Sequence, residues 1–309
     1  TFLEAAWLWS KAYDATTAGT DPGVPLRLGT DFHALSVRST VAATYQLALS
    51  GLKEAAALLP DLPVHKMRPS RAAAYGWLAR AYLSMNLMDS CRFYSNKALA
   101  LQHELMDYNG IDPSNYNPFG FFNREVVHHT SMFFGYSNLF DYQARVDTLL
   151  YAAYDTNDLR RSLFFRDFGD GTHFFRGSYG NYLLFNGLGV DELYLMRAEA
   201  AAILGDRQAA LDDLNDLLIT RFTTGTYATH TIANTPDVLA MVRRERRKSL
   251  LFRNLRWMDI KRQNAAGAGI VLKRIINGNT VTLQPGANHY ALPIPPDVIA
   301  MTGMQQNPE

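Results

Sequence analysis

Apolar residues recur at the spacing of an amphipathic helix over most of this chain. The spacing predicts helices at residues 2–13, 38–59, 71–85, 90–104, 191–204, 207–220 and 236–262. Pro60 and Pro63 end the second of these helices, and a loop rich in Gly, Pro and Thr spans residues 14–31. Two short stretches near the end, residues 270–276 and 280–283, have a β-like pattern. The fold class is therefore predicted to be mostly α.

Residues 108–185 differ from the rest of the chain, because they contain many turn residues and no long amphipathic run. This segment holds 20 of the chain's 37 aromatic residues. An aromatic side chain offers a flat apolar face at low entropic cost, so rings in loops beside polar residues are typical of a binding surface. We expect an irregular, aromatic-rich lobe in which most rings pack as core and a minority face a ligand.

Two helix pairs have the spacing of tetratricopeptide repeats, in which small residues lie where two helices touch. Ala79 and Cys91 are separated by the same offset as Ala198 and Ala210. Such pairs cannot bury their apolar faces alone and stack on neighbouring elements. The sequence therefore predicts a tetratricopeptide-like scaffold that the aromatic segment interrupts. Cys91 is expected to be buried and unreactive.

Residues 243–262 carry nine basic and two acidic side chains. A basic helix can indicate nucleic-acid binding, but apolar residues lie between the charges along this whole stretch. Arginines in such a setting pair with buried carboxylates, here Glu192 or Glu199, and lay their stems on apolar surface. We interpret the stretch as scaffold and predict no nucleic acid as a partner.

The overall composition restricts the class of protein only slightly. A formal charge of +1 gives no general attraction to nucleic acid or to an anionic membrane. The single cysteine rules out an intrachain disulfide, and no apolar run is long enough to cross a bilayer. The first residues lack the basic start of a signal peptide and lie inside a predicted helix. We therefore expect that the natural beginning of the protein, with any targeting or lipidation segment, precedes Thr1.

Motifs for catalysis or metal binding are weak. His128 and His129 would point to opposite faces of a strand, and neither an HExxH motif nor a cysteine pair is present. The chain has no G-x-S-x-G elbow, and residues 169–171 are interpreted as a turn. Aspartates in the aromatic segment leave a glycosidase pair open as the enzymatic alternative, although nothing fixes a separation between two of them. We predict no catalytic residue, no cofactor and no metal.

Several short segments, taken in their order along the chain, match the motifs of a known family. They are VPL at residues 24–26, RST at 38–40, LP at 59–60, DELYLMRAEA at 191–200, LN at 214–215, ERRKSLLFRNLRWMDIKR at 245–262, LPIP at 292–295 and QNP at 306–308. Together they resemble the SusD/RagB family, whose signature helix reads roughly ERRxELxFEGxRWxDLxRW. The chain departs from that signature at Ser249, at Arg253 and Asn254 in place of Glu-Gly, and at Gln263 in place of the last Trp.

The resemblance implies a SusD-like protein of the outer membrane in Bacteroidota. Such a protein would be lipid-anchored on the extracellular face through an N-terminal cysteine that is not present in this chain. It would cap a SusC-like TonB-dependent transporter, hold an oligosaccharide and release it inward without breaking a bond. We expect one SusD-like domain over residues 1–309, with a helical scaffold at 1–107 and 190–262, a ligand lobe at 108–189 and an irregular segment at 263–309.

The resemblance also implies where a ligand would bind, because family members that bind glycans do so in a shallow site on loops. The candidates here are Tyr116, Phe119, Tyr136, Asn138, Tyr142, Arg145, His173, Phe174 and Tyr179. Two other functions stay open at this point. One is a peptide-binding, RagB-like lid of the same transporter type, and the other is an intracellular tetratricopeptide adaptor that holds a partner's tail.

Overall fold

The computed structural model describes residues 2–31, 33–132, 139, 143–180 and 183–308. Helices dominate these residues, as the apolar spacing predicts. The α-helices are α1 (Phe2–Trp9), α2 (Val41–Leu58), α3 (Arg71–Ser84), α4 (Met88–Leu101), α5 (Thr148–Ala152), α6 (Arg160–Phe164), α7 (Val190–Ile203), α8 (Arg207–Ile219), α9 (Val238–Ser249), α10 (Arg256–Ala265) and α11 (Pro296–Thr302). The fold is mostly α, in agreement with the prediction.

The strands are short and pair two by two. They are β1 (Pro22–Pro25), β2 (Arg38–Thr40), β3 (Val126–His128), β4 (Ser131–Met132), β5 (Phe165–Asp167), β6 (His173–Phe175), β7 (Leu184–Phe185), β8 (Leu188–Gly189), β9 (Leu272–Ile276) and β10 (Asn279–Leu283). The antiparallel pairs are β1 with β2, β3 with β8, β4 with β7, β5 with β6 and β9 with β10. Asn277 and Gly278 join β9 to β10 with positive φ angles of 50° and 79°, which the tight two-residue hairpin turn requires.

The chain forms two compact units. The first consists of residues 1–54, 81–87 and 256–309, and the second of residues 55–80 and 88–255. The described residues of the aromatic segment lie in the second unit. Within the described part of the chain, no helix combines the length and the apolar character needed to cross a lipid bilayer.

Helix α7 is the centre of the second unit, where it packs against α4, α8 and α9. Ala198 on α7 and Ala210 on α8 are both fully buried, as the tetratricopeptide spacing predicts. Gly205 ends the turn after α7 with a φ of 89°, and Asp206 then caps α8 by accepting a hydrogen bond from the Ala209 amide. Cys91 on α4 is buried as well, with its Sγ 3.8 Å from the carbonyl oxygen of Met196.

The basic stretch behaves as scaffold, because its arginines meet buried carboxylates. Arg243 lies 2.8 Å from Glu199, and Arg246 lies 3.8 Å from Glu192. Glu192 also accepts two hydrogen bonds from Arg80, with the NH2 atom at 2.6 Å. These contacts confirm the predicted pairing of the arginines with carboxylates on α7.

The predicted helix over residues 236–262 is in fact two helices, so that expectation was wrong. Helix α9 ends at Ser249 and α10 begins at Arg256. Between them Phe252 and Asn254 adopt left-handed backbone angles, with φ of 58° and 59°. A helix cannot continue through such residues, and no Gly or Pro in the sequence marks the break.

Four charged groups form a closed network where α6 meets α9. Arg160 lies 2.7 Å from both Asp158 and Glu245, and Lys248 lies 3.0 Å from the same two carboxylates. Burial raises the pKa of each carboxyl, but Arg160 and Lys248 outweigh it and hold both pKa values below their ordinary range. Two positive and two negative charges thus balance in the interior and fasten the start of α6 to the scaffold.

The aromatic lobe has a core of its own. Its buried members are Tyr108, Phe119, Val126, Val146, Leu150, Tyr154, Leu163, Phe164, Phe165, Tyr179 and Phe185. Most of these are rings, which contact one another edge to face or tilted, as aromatic pairs prefer. Many of the rings that make this segment unusual in composition therefore hold the lobe together.

Hydrogen bonds between side chains and backbone from both ends of the sequence hold the first unit together. Arg38 NH1 donates to Asn307 Oδ1 at 2.8 Å, and Asn307 Nδ2 donates to the carbonyl oxygens of Trp9 and Leu292. Lys261 on α10 donates from Nζ to the carbonyl oxygen of Trp7 at 2.7 Å, at the end of α1. The segment 263–309, expected to be irregular apart from its β-like pieces, also contains helix α11.

Candidate functional site

A hairpin in the second unit brings exposed rings to the surface of the aromatic lobe. Strands β5 and β6 pair Phe165 with Phe175 and Asp167 with His173. The connecting turn spans residues 168–172, with Gly169 and Gly171 at φ angles of 93° and 81°. Asp167 and Asp170 stabilise the turn, because each carboxylate accepts a hydrogen bond from an amide two residues ahead. The turn fixes the position of Phe168 at its start.

Three rings form what we call the ring face, which consists of Tyr116, Phe168 and Phe174. Tyr116 is 46% exposed and Phe168 is 42% exposed, whereas Phe174 is only 8% exposed. The centroid of the Phe174 ring lies 6.4 Å from that of Tyr116 and 6.4 Å from that of Phe168. Phe174 therefore acts as a buried support that both exposed rings contact.

Two arginines lie against the exposed rings of the ring face. The guanidinium carbon of Arg145 is 3.3 Å from the ring centroid of Phe168, and that of Arg166 is 5.5 Å from the centroid of Tyr116. These are cation–π distances, and a guanidinium in such a position also orients its N–H donors beside the ring. Arg145 therefore covers one face of the Phe168 ring, and both arginines bring hydrogen-bond donors to the ring face.

The loop that carries Tyr116 is fastened to the lobe by Arg176. This side chain donates hydrogen bonds to the carbonyl oxygens of Pro113, Asn115 and Ser162, at 2.7, 2.5 and 2.7 Å. Burial lowers the pKa of Arg176 from its ordinary value. Three carbonyl acceptors compensate for this desolvation and hold the backbone next to Tyr116 in place.

The two carboxylates of this region with a resolved shift have low pKa values. The hydroxyl and amide of Thr172 donate to Asp170 and lower its pKa, with a smaller contribution from Arg145. The amide and hydroxyl of Ser114 lower the pKa of Asp112 in the same way. Both side chains are therefore ionised at neutral pH and accept hydrogen bonds. Asp170 lies close enough to Arg145 for the two charges to interact, so donors and an acceptor occur together beside Phe168.

Four of the predicted ligand residues lie at or near the ring face: Tyr116, Arg145, His173 and Phe174. His173 is not part of the face itself, because its ring stacks on that of Tyr151 at 3.6 Å with an interplanar angle of 19°. Arg161 also contacts Tyr151, with its guanidinium carbon 5.0 Å from the ring centroid and its Nε donating to the hydroxyl at 3.2 Å. Phe174 contributes by supporting the other rings, and its low exposure leaves little surface for a ligand.

Phe119 and Tyr179 were predicted to contact a ligand, but they are only 2% and 1% exposed and offer no surface to one. Phe119 packs between other rings of the lobe core. The Tyr179 hydroxyl donates to Glu125 Oε2 at 2.5 Å and lies 3.0 Å from the hydroxyl of Tyr108. The polar tip that suggested a ligand contact satisfies a buried carboxylate instead. The remaining candidates, Tyr136, Asn138 and Tyr142, lie outside the described residues.

Phe168 and Arg166 belong to the site but are absent from the sequence-based candidates. The sequence does contain a signal for Phe168. This phenyl ring lies in a polar turn between Asp167 and Gly169, with no apolar residue among its nearest neighbours in sequence. Arg166 could not be found in this way, since its role depends on which strand pairs with β5. Among the described residues, no group of three or more His, Cys, Asp or Glu side chains could hold a metal ion.

Two family models match the chain. The one described as "SusD family" matches residues 191–309, and the one described as "Starch-binding associating with outer membrane" matches residues 3–83. The ring face lies between the two matched stretches. No curated protein matches the chain.

Several solved structures are similar to the chain along nearly its whole length. A SusD superfamily protein from Bacteroides vulgatus has a TM-score of 0.77 and 22% sequence identity, over 98% of this chain and 73% of the other. A SusD superfamily protein from Bacteroides thetaiotaomicron has a TM-score of 0.74 and 20% identity, over 99% and 74%. A laminarin-binding SusD-like protein has a TM-score of 0.65 and 19% identity, over 92% and 73%. These likenesses establish a common fold.

Proposed function

Because this chain is a SusD-like protein, we propose that it binds an oligosaccharide nutrient at the cell surface without altering it. The observation that carries the proposal is the ring face. Two half-exposed rings, Tyr116 and Phe168, rest on the buried ring of Phe174 and are bordered by guanidinium groups.

A sugar ring has apolar C–H faces and a rim of hydroxyls, and the ring face offers a counterpart to each. Tyr116 and Phe168 present flat apolar surface whose position is fixed before a ligand arrives, so little conformational entropy is lost on binding. Arg145 and Arg166 supply donors, and the ionised Asp170 supplies acceptors for hydroxyls. The family description, which names starch binding, supports the same class of ligand.

The charge states of Asp112 and Asp170 make these two residues unsuited to hydrolysis. A glycosidase keeps one of its two carboxyls protonated as the general acid, usually by burial. Asp112 and Asp170 are exposed, and hydrogen bonds lower both pKa values. Both are ionised at neutral pH, so neither is suited to donate a proton to a leaving group.

We place the protein at the extracellular face of the outer membrane as the lid of a SusC-like TonB-dependent transporter. The family description "associating with outer membrane" and the ordered motifs support this placement. Attachment would be through a lipid on a cysteine that precedes Thr1. The partner is tested by purifying the tagged protein from outer membranes and identifying co-purified chains by mass spectrometry. A TonB-dependent barrel in a stable ratio is the expected result, and its absence contradicts the lid.

The binding function is tested by electrophoresis in gels that contain laminarin, soluble starch or no polysaccharide, followed by analysis of each sugar for cleavage. We expect at least one polysaccharide to retard the protein and none to be shortened. Shortened products would indicate a glycosidase. Co-purification of a peptide, with no retardation by any polysaccharide, would indicate the peptide-binding alternative instead.

A further inference from the structure

The loop that carries Tyr116 exposes a second pair of rings a few residues further on. Phe121 is 44% exposed and Phe122 is 36% exposed, whereas Phe119 between them and Tyr116 is 2% exposed. Phe119 is held by Tyr108, Phe164 and Tyr179, at centroid distances of 5.1, 5.7 and 5.3 Å. The loop is thus anchored at its centre and displays rings on both sides of the anchor.

Phe121 and Phe122 belong to what we call the second ring cluster, together with His65 and His129. The Phe122 ring lies 4.5 Å from His65 and 4.9 Å from His129, both edge to face. The Phe121 ring lies 5.8 Å from Phe122 and 5.7 Å from His129. His65 is exposed, and the Lys66 carbonyl beside it accepts a hydrogen bond from the His129 amide at 2.7 Å. The cluster therefore joins two separate loops into one surface.

The backbone of Phe122 is held in an unfavourable conformation. Its φ is 54°, in the left-handed region that a bulky side chain rarely occupies. The Asn123 side chain keeps the turn in this form, because Nδ2 donates to the Gly120 carbonyl and Oδ1 accepts from the Glu125 amide. Strained residues of this kind concentrate at ligand sites. Here the left-handed backbone places the Phe122 ring at the surface, although Phe119, three residues earlier, lies in the core.

His129 adds an unsatisfied polar atom to the cluster. The residue is 5% exposed, and its Nε2 lies 3.2 Å from Ser131 Oγ. Its Nδ1 is buried and has no hydrogen-bond partner within the described part of the chain. Burial, followed by the nearby His128 and His65, lowers the pKa of His129. The imidazole is therefore neutral at pH 7, and its ring lies against both exposed rings.

We propose that the second ring cluster binds a further part of the same oligosaccharide that the ring face holds, which makes the site bipartite. This inference rests on the proposed carbohydrate-binding function. Exposed rings that offer flat faces beside a neutral imidazole suit a neutral polyhydroxylated ligand. The six residue steps from Tyr116 to Phe122 span at most roughly 20 Å, a distance that one chain of several sugars can bridge.

A bipartite site has a specific consequence for chain length. A glycan that is bound at the ring face brings its far end to the second ring cluster at a high effective concentration. Long oligosaccharides then gain affinity from both sets of rings, and disaccharides from one alone. Loss of the Phe121 and Phe122 rings is expected to weaken long-chain binding by roughly tenfold, and loss of one ring by a few-fold.

The test is isothermal titration with maltose, maltoheptaose, laminaribiose and laminarihexaose. The variant combines Phe121→Ala with Phe122→Asn, because Asn tolerates the left-handed backbone that residue 122 must keep. Phe93→Ala is the matched control, since Phe93 is 53% exposed on α4 and belongs to neither ring group. We expect the double variant to bind the long ligand roughly tenfold more weakly than the wild type and the control do.

Long-chain affinity equal to that of the control overturns the bipartite site and leaves the ring face untouched. If the wild type binds none of the four sugars, the proposed function fails and the bipartite site fails with it. Thermal unfolding accompanies each titration. Should the double variant not fold, Phe121→Ala alone decides the matter, with an expected loss of a few-fold and an unchanged affinity as the contradicting result.

Discussion

Arg253 and Asp191 form a two-pronged ion pair in the interior of the second unit. NH1 of Arg253 donates to Oδ1 of Asp191 at 2.9 Å, and NH2 donates to Oδ2 at 2.8 Å. The two side chains can approach because residue 189 is a glycine, where a Cβ would collide with the Asp191 carboxylate. The guanidinium carbon also lies 4.5 Å from the ring of Tyr179. Arg253, one of the positions at which the sequence departs from the family signature, thus links the break after α9 to the start of α7.

Removing the Arg253 charge is predicted to destabilise the second unit strongly. Arg253→Met leaves Asp191 as a buried charge without its partner, which costs about 3–5 kcal/mol in the free energy of unfolding. The measurement is urea-induced unfolding. The double variant Arg253→Met with Asp191→Asn removes both charges and should recover part of the loss. Equal stability of the single variant and the wild type would show that the pair contributes nothing.

Tyr179 is predicted to act only in the core. Tyr179→Phe removes the hydroxyl that donates to Glu125 and should lower the free energy of unfolding by about 1.5–3 kcal/mol, the usual value for a hydrogen bond to a charged group. Sugar affinity should stay at the wild-type value, because the ring is buried. A loss of affinity at unchanged stability would restore Tyr179 as a ligand contact.

Variants of Phe174 and Phe168 are predicted to distinguish a ring that supports the site from a ring that contacts the ligand. Phe174→Ala opens a cavity and should cost about 3–5 kcal/mol of stability, together with a loss of affinity. Phe168→Ala removes a half-exposed ring and should change stability by less than about 1 kcal/mol while it weakens sugar binding. Unfolding curves and titrations of the two variants give both quantities. The account of the ring face is wrong if Phe168→Ala binds sugar as the wild type does.

The free energy of unfolding of the first unit is predicted to rise as the pH increases above 7, because of Lys261. Burial lowers its pKa from 10.5 to about 7, with backbone carbonyls of Trp7 and Ser10 as acceptors for its amino group. Between these two pH values the unfolded chain holds the extra proton and the folded chain does not. Stability therefore rises with pH across this window, by at most about 1.4 kcal/mol per pH unit.

The comparison for Lys261 is Lys261→Met, which has no titrating group at this position. The difference in free energy of unfolding, wild type minus variant, should grow between pH 7 and pH 9 and stay flat below pH 7. A difference that is constant across pH 7–9 would mean that Lys261 keeps its proton in the folded protein.

The sequence was sufficient to predict the helical scaffold, because long amphipathic runs determine helices locally. Asn277-Gly278 likewise indicates its hairpin without tertiary information. The break between α9 and α10 could not be predicted, since Phe252 and Asn254 adopt left-handed angles that only their tertiary surroundings impose. Arg253 then turns inward to Asp191, a partner that lies far away in sequence.

Ring enrichment in the sequence indicated the segment that carries the ring face, residues 108–185. Which rings face solvent depends on packing that no local pattern encodes. Tyr116 and Phe119 are three residues apart in similar surroundings of Asn, Pro and Gly, yet one is half exposed and the other is in the core. The polar turn around Phe168 is visible in the sequence, but its contact with Arg145 depends on the tertiary fold, because Arg145 approaches from a different part of the lobe.

The central claim is that the ring face holds a sugar chain and leaves it intact, and titration calorimetry tests it most directly. Wild-type protein titrated with laminarihexaose or maltoheptaose should bind one of them with micromolar affinity, about −8 kcal/mol. The combined variant Tyr116→Ala with Phe168→Ala should bind at least about tenfold more weakly, and Phe93→Ala should match the wild type. An affinity that the combined variant leaves unchanged would contradict the account.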